Sequence, residues 1–403
     1  MLEHARWTDA RYLLLEKAAP VGKEYVSLED CPGRVLGFDL QAGADVPPFD
    51  RSPYDGYALR SADTAGADRD HPVTLRVTQT LQAGRPGVPV RPGEAARIMT
   101  GAPIPEGADC VVMYEKTVFT PETVTLFAET QPGENVVRRG EDTPAGALLA
   151  AKGMIIDAGL AGTLAAQGLA KIQVYRRPVI GLLSTGTELA EPGETLRPGQ
   201  IYDANRASFT ALLFREGCET RFLGRAGDDA ETIRERIASA LQSCDAVIVT
   251  GGVSVGDWDL TPEAMTRAGA EILVRGVDMK PGMACAFGIA EGKLILGLSG
   301  NPASSMTNFC ACAVPAIRKI RGMRKVLPQT IRAALKRCFP KKSPTERFLR
   351  GRLLLSDGRV LFDLSDNQGN AVLSSAIGSD TFLRIPAGSG PMPAGTVLEG
   401  FRI

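Results

Sequence analysis

Three short segments of this 403-residue chain concentrate residues able to do chemistry. They are Ser184-Thr185-Gly186-Thr187-Glu188, Thr250-Gly251-Gly252-Val253-Ser254-Val255-Gly256-Asp257-Trp258-Asp259, and Ser299-Gly300-Asn301-Pro302-Ala303-Ser304-Ser305. Each follows a short apolar run, and each is rich in glycine, serine or threonine. Glycine lets the backbone approach a ligand closely, hydroxyls can bind an oxyanion, and carboxylates can hold a hard cation such as Mg²⁺. A single loop of this kind is an ordinary turn after a strand. Three such loops after strands of a doubly wound sheet would share one edge, the edge where such sheets bind ligands. The helix opening at Pro302 would add its amino terminus as a seat for phosphate. No GxGxxG with a following acid and no GxxxxGK[ST] loop is present, which argues against an NAD enzyme and a P-loop ATPase.

The acids near these segments are Glu188, Asp228, Asp229, Asp257 and Asp259. Asp228-Asp229 reads equally as a metal-binding pair or as the cap of a helix starting near Glu231. Asp257 and Asp259, two apart in a glycine loop, have less structural excuse. Two histidines, His4 and His71, are all the chain has, so Ser-His-Asp hydrolysis and histidine-rich zinc sites are excluded. Lys+Arg and Asp+Glu both number 46. That balance excludes a broad electrostatic grip on nucleic acid or an anionic membrane. The eight cysteines are scattered without a CxxC pair and read as buried free thiols. The first residues lack signal-peptide form and no apolar run is long enough to span a bilayer, so a cytoplasmic protein is expected.

The elements that must position these loops can be read around them. Val179–Leu183, Arg221–Arg225, residues 246–249, Ile272–Val274 and Leu294–Leu298 read as strands. Helices are expected at 5–19, near 205–216 with Asn205 as a plausible N-cap, over Glu231–Gln242, and from Pro302 to about 320. Strands alternating with helices predict a mostly parallel, doubly wound sheet. Before it, short runs at Val73–Val77, Ala95–Thr100, Cys110–Tyr114 and Val124–Phe127, separated by glycine and proline turns, predict a β-module. After about residue 326 a small β-barrel-like domain is expected. The expected division is 1–20 with 176–325 as the α/β domain, 21–45 with 139–175 as a linker and dimerisation domain, 46–138 as the β-module, and 326–403 as the C-terminal domain.

One segment of the β-module stands apart: Pro47-Pro48-Phe49-Asp50-Arg51-Ser52-Pro53-Tyr54-Asp55-Gly56-Tyr57-Ala58. Composition alone makes it a tight turn with surface aromatics. Together with RIMTGAPIPEGADCVV (97–112), GEDTPAG (140–146), STGTEL, GGVSVGDWD, KPG (280–282) and GNPAS (300–304), it resembles the MoeA-type molybdopterin molybdenumtransferases, relatives of the gephyrin E domain. The motifs occur in the family's order along essentially the whole chain.

The resemblance implies an elongated four-domain homodimer that takes adenylylated molybdopterin and molybdate. It would cleave the adenylate with Mg²⁺ and leave molybdenum on the dithiolene as molybdenum cofactor. By motif, Asp55, Thr100 and Asp142 would approach from the partner subunit. Glu188, Asp228 and Asp259 would contact nucleotide, pterin or Mg²⁺, with Asp257 a further candidate ligand. Ser184, Thr185, Gly186, Thr250, Gly251, Gly252, Ser254, Gly300, Asn301, Pro302 and Ser304 would line the substrate site. Lys280 would attract molybdate or phosphate, and a neutral protein needs such a local cation; Arg275 is near it in sequence. Arg350, with residues 366–375, would be the C-terminal domain's share. The molybdopterin adenylyltransferase and downstream maturation proteins are implied partners. Gly276 and Met283 stand where many members carry lysines, Ser299 where proline is usual, and Asn370 where serine is. These departures bear on the choice between molybdate and tungstate. The rival readings are a non-catalytic cofactor-binding scaffold, a tungsten-inserting paralogue and the upstream adenylyltransferase. The last lacks a counterpart to the β-module and C-terminal domain.

Overall fold

In the computed structural model, residues 1–253 and 260–403 are described. They form two compact units. One comprises Met1–Phe38, Lys152–Asp157 and Lys171–Ile403; the other comprises Asp39–Ala151 and Ala158–Ala170. Residues of the expected linker domain are thus divided between the units.

The first unit is built on a seven-stranded sheet. Its strands are β1 (Leu2–Ala5), β2 (Val179–Thr185), β3 (Glu219–Ala226), β4 (Ala246–Thr250), β5 (Glu271–Val277), β7 (Cys285–Ala290) and β8 (Lys293–Leu298); β6 (Met279–Lys280) pairs elsewhere. The order is β1-β5-β7-β8-β4-β2-β3. All neighbouring pairs are parallel except those made by β7, which runs antiparallel to both β5 and β8. Successive side chains of a strand face opposite ways, so both faces must be covered when both are apolar. Ala246 and Ile248 of β4 join a core with α1 (Trp7–Lys17), α2 (Ala204–Arg215) and the helical run after Pro302. Val247 and Val249 join a second core with α3 (Ala230–Leu241) and α4 (Leu260–Arg267). The sheet is doubly wound, as the alternating pattern predicts.

The helical run after β8 consists of α5 (Pro302–Asn308), a π-helical turn (Phe309–Ala313) and α6 (Val314–Ile320). The α2 N-cap is Asp203, whose carboxylate accepts from the Arg206 N–H at 3.0 Å. Asn205, read as the cap from sequence, lies inside the first turn and serves another purpose described below. Asp229 caps α3, accepting from the N–H groups of Glu231 and Thr232.

The C-terminal strands are β9 (Thr330–Leu335), β10 (Glu346–Ser356), β11 (Arg359–Leu364), β12 (Thr381–Ile385) and β13 (Val397–Arg402). They run in the order β10-β11-β9-β13-β12, and a further β10–β12 pairing closes them into a barrel. Strand β6 docks in parallel on β10, with Lys280 opposite Arg347. The barrel therefore holds the backbone on which Lys280 stands.

The second unit contains a six-stranded sheet ordered Cys110–Met113, Gly56–Leu59, Glu94–Ile98, Val73–Leu81, Thr123–Leu126, Thr117–Phe119. Gly56–Leu59, which composition assigns to a turn, is an interior strand of this sheet, buried at all four positions. Tyr57 is buried against Tyr114 and Phe119, whereas Tyr54 stays exposed. Of the segment's aromatics, Phe49 and Tyr54 are on the surface as expected and Tyr57 is not.

Candidate functional site

The carboxyl ends of β2, β4 and β8 border a cleft of about 910 Å³ in the first unit. Its walls include Thr185, Gly186 and Glu188 after β2, Thr250 to Val253 after β4, and Ser299 to Pro302 with Ser304 after β8. Asp228, the segment Met279–Ala284, and Asn370 with Ala371 of the barrel also line it, as do Leu189, Ile201, Tyr202, Ala204 and Asn205. The described residues of the three sequence-predicted loops are thus brought to one place, with Lys280 beside them.

Local bonds explain how the walls are held. The Gly251 N–H donates to Leu298 O at 2.8 Å, Thr261 Oγ1 donates to Gly251 O at 2.8 Å, and Thr185 Oγ1 donates to Thr250 O at 3.1 Å. Gly251 has φ +103°, and a Cβ there would lie 2.5 Å from Thr185 Oγ1. Only glycine meets both demands, the conformation and the space. Since the Gly251 N–H and the Gly186 N–H, which donates to Ala226 O, are both engaged, these glycines shape the wall. They are not free anion donors.

The helix terminus is likewise partly occupied. Pro302 has no N–H, and the Ser304 N–H donates both to Asn301 O and to Asn370 O of the barrel, at 3.1 Å each. Ser299 Oγ accepts from the Asn301 N–H at 3.2 Å, which leaves the hydroxyl proton for a partner in the cleft. Two asparagines whose roles sequence reasoning missed hold these loops, Asn205 from within the cleft wall and Asn308 from the core behind it. Asn205 Nδ2 donates to Gly300 O at 2.8 Å, and the buried Asn308 Nδ2 donates to Gly282 O at 2.6 Å, fixing the segment after Lys280. A polar residue in the first turn of a helix, facing a loop, was the available signal at Asn205.

The charged groups of the cleft are few. Among its described lining residues, Glu188 and Asp228 are the carboxylates and Lys280 is the cation; all three are exposed. Asp228 Oδ2 accepts from Thr187 Oγ1 at 3.0 Å. The adjacent acids have therefore divided their duties: Asp229 caps α3 while Asp228 faces the cleft. Ser254, Asp257 and Asp259 lie outside the described residues. Among those that are described, no group of three or more metal-binding side chains is gathered.

Two expected substrate contacts lie off the cleft. Ser184 is fully buried on the sheet, its hydroxyl without a hydrogen-bond partner among the described residues. As the residue before Thr185 on an extended strand, it faces the opposite way from it. Arg350 is fully buried within the barrel, where it donates through Nε to Ser375 Oγ at 2.8 Å and through Nη2 to Gly369 O at 3.0 Å. Burial pulls its guanidinium down to about 10, still protonated at neutral pH. It braces the loop that carries Asn370 into the cleft. Arg275, exposed on β5, is not a lining residue either. Of the family departures, Met283, Ser299 and Asn370 line the cleft and Gly276 does not.

In the second unit, Asp55 and Thr100 are brought together. Asp55 Oδ1 accepts from the Thr100 N–H at 2.7 Å and from Thr100 Oγ1 at 2.9 Å. Those two donors, the backbone one first, hold the Asp55 carboxyl below its ordinary value. Asp142 is exposed on a segment whose N–H groups at 142 and 143 both donate to Val46 O. Seven of the eight cysteines are buried and Cys338 is exposed; burial pushes the Cys110, Cys218, Cys285 and Cys310 thiols up to about 12. These four are not thiolate nucleophiles at neutral pH.

A doubly wound α/β domain with a hydroxyl- and glycine-lined cleft at its strand carboxyl ends, braced by a C-terminal barrel, is the architecture of a small-molecule-binding protein. Family models narrow this. The MoeA N-terminal region (domain I and II) matches residues 5–168, a probable molybdopterin binding domain matches 181–319, and the MoeA C-terminal region (domain IV) matches 332–399. The molybdopterin molybdenumtransferase of Staphylococcus aureus (strain Mu50) is 36% identical over 376 residues, covering 93% of this chain and 90% of the relative. That of Staphylococcus epidermidis (strain RP62A) is 35% identical over the same shares. The crystal structure of a molybdopterin biosynthesis moeA protein from Pyrococcus horikoshii matches with a TM-score of 0.84 and 32% identity, over 99% of this chain and 98% of that one. The chain belongs to the MoeA family.

Proposed function

We propose that this chain is a molybdopterin molybdenumtransferase acting in molybdenum cofactor biosynthesis. Its substrates in this reading are adenylylated molybdopterin and molybdate, and its products are AMP and molybdenum-bearing cofactor. The family membership and the name borne by the Staphylococcus relatives support the activity. The observation that carries the finer reading is the charge arrangement of the cleft: among its described lining residues, two carboxylates and one lysine stand on a hydroxyl-bearing wall.

That arrangement has a physical consequence. A diphosphate and an oxyanion both have to enter a cleft whose described charged residues sum to a negative value. Lys280 offsets part of the repulsion and supplies a charge-assisted donor to an oxyanion. Glu188 and Asp228 are the kind of hard ligands Mg²⁺ takes, one or two carboxylates with substrate phosphate oxygens making up the rest. When bound, the ion would supply charge neutralisation to the diphosphate. The chain's own residues then orient the substrate: Ser299 donates its hydroxyl proton, and Asn205 and Asn308 keep the Gly300 and Gly282 loops in register. Adenylate cleavage of this kind depends on positioning and charge stabilisation, so the scarcity of histidines is no obstacle.

The testing experiment incubates the protein with adenylylated molybdopterin and either molybdate or tungstate, with Mg²⁺ or with EDTA, and measures AMP. AMP release that needs both an oxyanion and Mg²⁺ is the expected result. Release with neither oxyanion would leave a cofactor-binding scaffold as the better reading. Lys280→Ala should raise the oxyanion concentration needed for half-maximal release by roughly tenfold, since a charge-assisted contact is lost.

A further inference from the structure

The first unit has a second, smaller cavity of about 250 Å³, lined by Arg34, Arg176, Arg177, Arg215 and Arg321, with Phe214 among its other walls. It lies at the opposite edge of the sheet from the cleft: Arg176 and Arg177 immediately precede β2, and Arg215 ends α2 just before β3. Five guanidiniums around one cavity repel one another unless something neutralises them.

Protein carboxylates neutralise two. Arg34 pairs with Glu24, and Arg176 makes a two-pronged pair with Asp245. The other three have no carboxylate partner within salt-bridge distance among the described residues. Arg321 donates to the backbone carbonyl of Gly33, and its guanidinium packs flat on Gly217, where a Cβ would lie 2.5 Å from Cζ. Gly217 has φ +69°, the left-handed position that ends α2, so the same glycine stops the helix and makes room for the arginine. The simplest account of basic residues here is that they answer the carbonyl ends of α2 and α6. Those two ends supply roughly half a negative charge each, and Arg318, paired with Glu216 at 2.7 Å, already stands beside them. About two positive charges remain unanswered in a concave, partly desolvated place. Burial drives the Arg321 guanidinium down against the opposing pull of Glu216, and Arg177 and Arg318 add to the fall.

We propose that this cavity is a second anion site, taking a phosphate group, either inorganic phosphate or the terminal phosphate of a small phosphomonoester. Arg177, Arg215 and Arg321 supply the unanswered charge, and guanidinium forks match phosphate oxygens in geometry. The volume exceeds that of a bare anion, and Phe214, 79% exposed at the wall, offers an apolar surface to an organic moiety. This site does not depend on the metal-insertion reading of the cleft.

Calorimetric titration of the full chain with phosphate and, separately, with adenosine 5′-monophosphate tests it. Lys280→Ala weakens the cleft, and the added arginine changes show how much of the remaining binding belongs to the cavity. Binding should persist in Lys280→Ala and weaken at least about tenfold when Arg177→Ser and Arg215→Ser are added, because charge-assisted bonds are lost. Both exposed changes should leave the thermal midpoint unmoved, which separates loss of binding from loss of fold. Equal affinity for the two ligands marks a site for the bare oxyanion, and tighter binding of the monophosphate marks one for the ester. No binding in Lys280→Ala, or equal binding after the arginine changes, would overturn the proposal. So would a change of oligomeric state in the arginine variant without phosphate binding, since the cavity would then be a protein contact.

Discussion

Asp228 and Asp229 are adjacent in sequence and do different work, and this separates activity from stability experimentally. Asp229 accepts three bonds from Glu231 and Thr232, including one from Thr232 Oγ1, as a helix cap. Asp229→Ala should therefore lower the urea denaturation midpoint with turnover unchanged, since the cap of α3 is lost. Asp228→Asn should leave the denaturation midpoint in place and lower AMP release by an order of magnitude or more, the usual scale when charge at a reacting phosphate is lost. The reverse pattern would exchange their roles. Asp55 offers a test by titration. Its carboxyl is held below the ordinary value by two Thr100 donors, so the ionised form is favoured by folding. The associated stability is present above the unfolded carboxyl value and is lost as pH falls through the folded one. In Thr100→Val the hydroxyl donor is gone while the N–H remains. Carboxyl NMR should then show the Asp55 titration moving part of the way back up; an unmoved titration would mean that the hydroxyl bond is absent in solution.

At the scale of elements, what sequence could reveal followed from pattern strength. Strands β2, β4 and β8 are aliphatic runs ending in glycine loops, and they fall within a residue or two of where their composition places them. Strand β7, Cys-Ala-Phe-Gly-Ile-Ala, escaped because alanine and glycine carry little β-propensity and both of its faces are buried, which erases alternation. Gly56–Leu59 escaped for another reason. Proline and aspartate before it announce a turn, and only its three-strand context in the sheet makes it extended. Most cleft residues were legible because their types are chemical, yet Asn205 and Asn308 act through single bonds to distant carbonyls that no local spacing encodes. Ser184 and Arg350 were misplaced by the same limit: a motif gives residue identity, and the fold decides which way the side chain faces. The glycine loops themselves yield a prediction. Gly251→Ala meets both a disfavoured φ and a near contact with Thr185, so it should destabilise the first unit by about 3 kcal/mol. Gly162→Ala, inside the helix Ala158–Ala166 with nothing within 4 Å of the added carbon, should instead stabilise the second by about 0.5–1 kcal/mol. Paired urea curves for the two variants check both signs.

At the scale of the whole molecule, the acids singled out by sequence lie on two separate compact units: Glu188 and Asp228 on one, Asp55 and Asp142 on the other. Asp55 and Thr100 are exposed, and their mutual bond stabilises no buried core. The family resemblance implies that they serve the cleft of a second copy of the chain, within a twofold dimer. Subunit mixing decides this. Assayed well below half-saturating oxyanion, where a tenfold weaker oxyanion contact costs about tenfold in rate, Asp55→Asn and Lys280→Ala should each retain about a tenth of wild-type activity or less. If each active site takes Lys280 from one subunit and Asp55 from the other, a hybrid dimer holds one site with both lesions and one with neither. Random reassociation of equal amounts, after dissociation in mild denaturant, would make half of the dimers hybrid. About a quarter of wild-type activity should then return, as closed twofold pairing requires. If both residues serve the same subunit's cleft, every site in the mixture carries one lesion and no activity returns. The assay needs no assumption about which oxyanion the enzyme prefers, because recovery is measured against the wild-type chain under identical conditions.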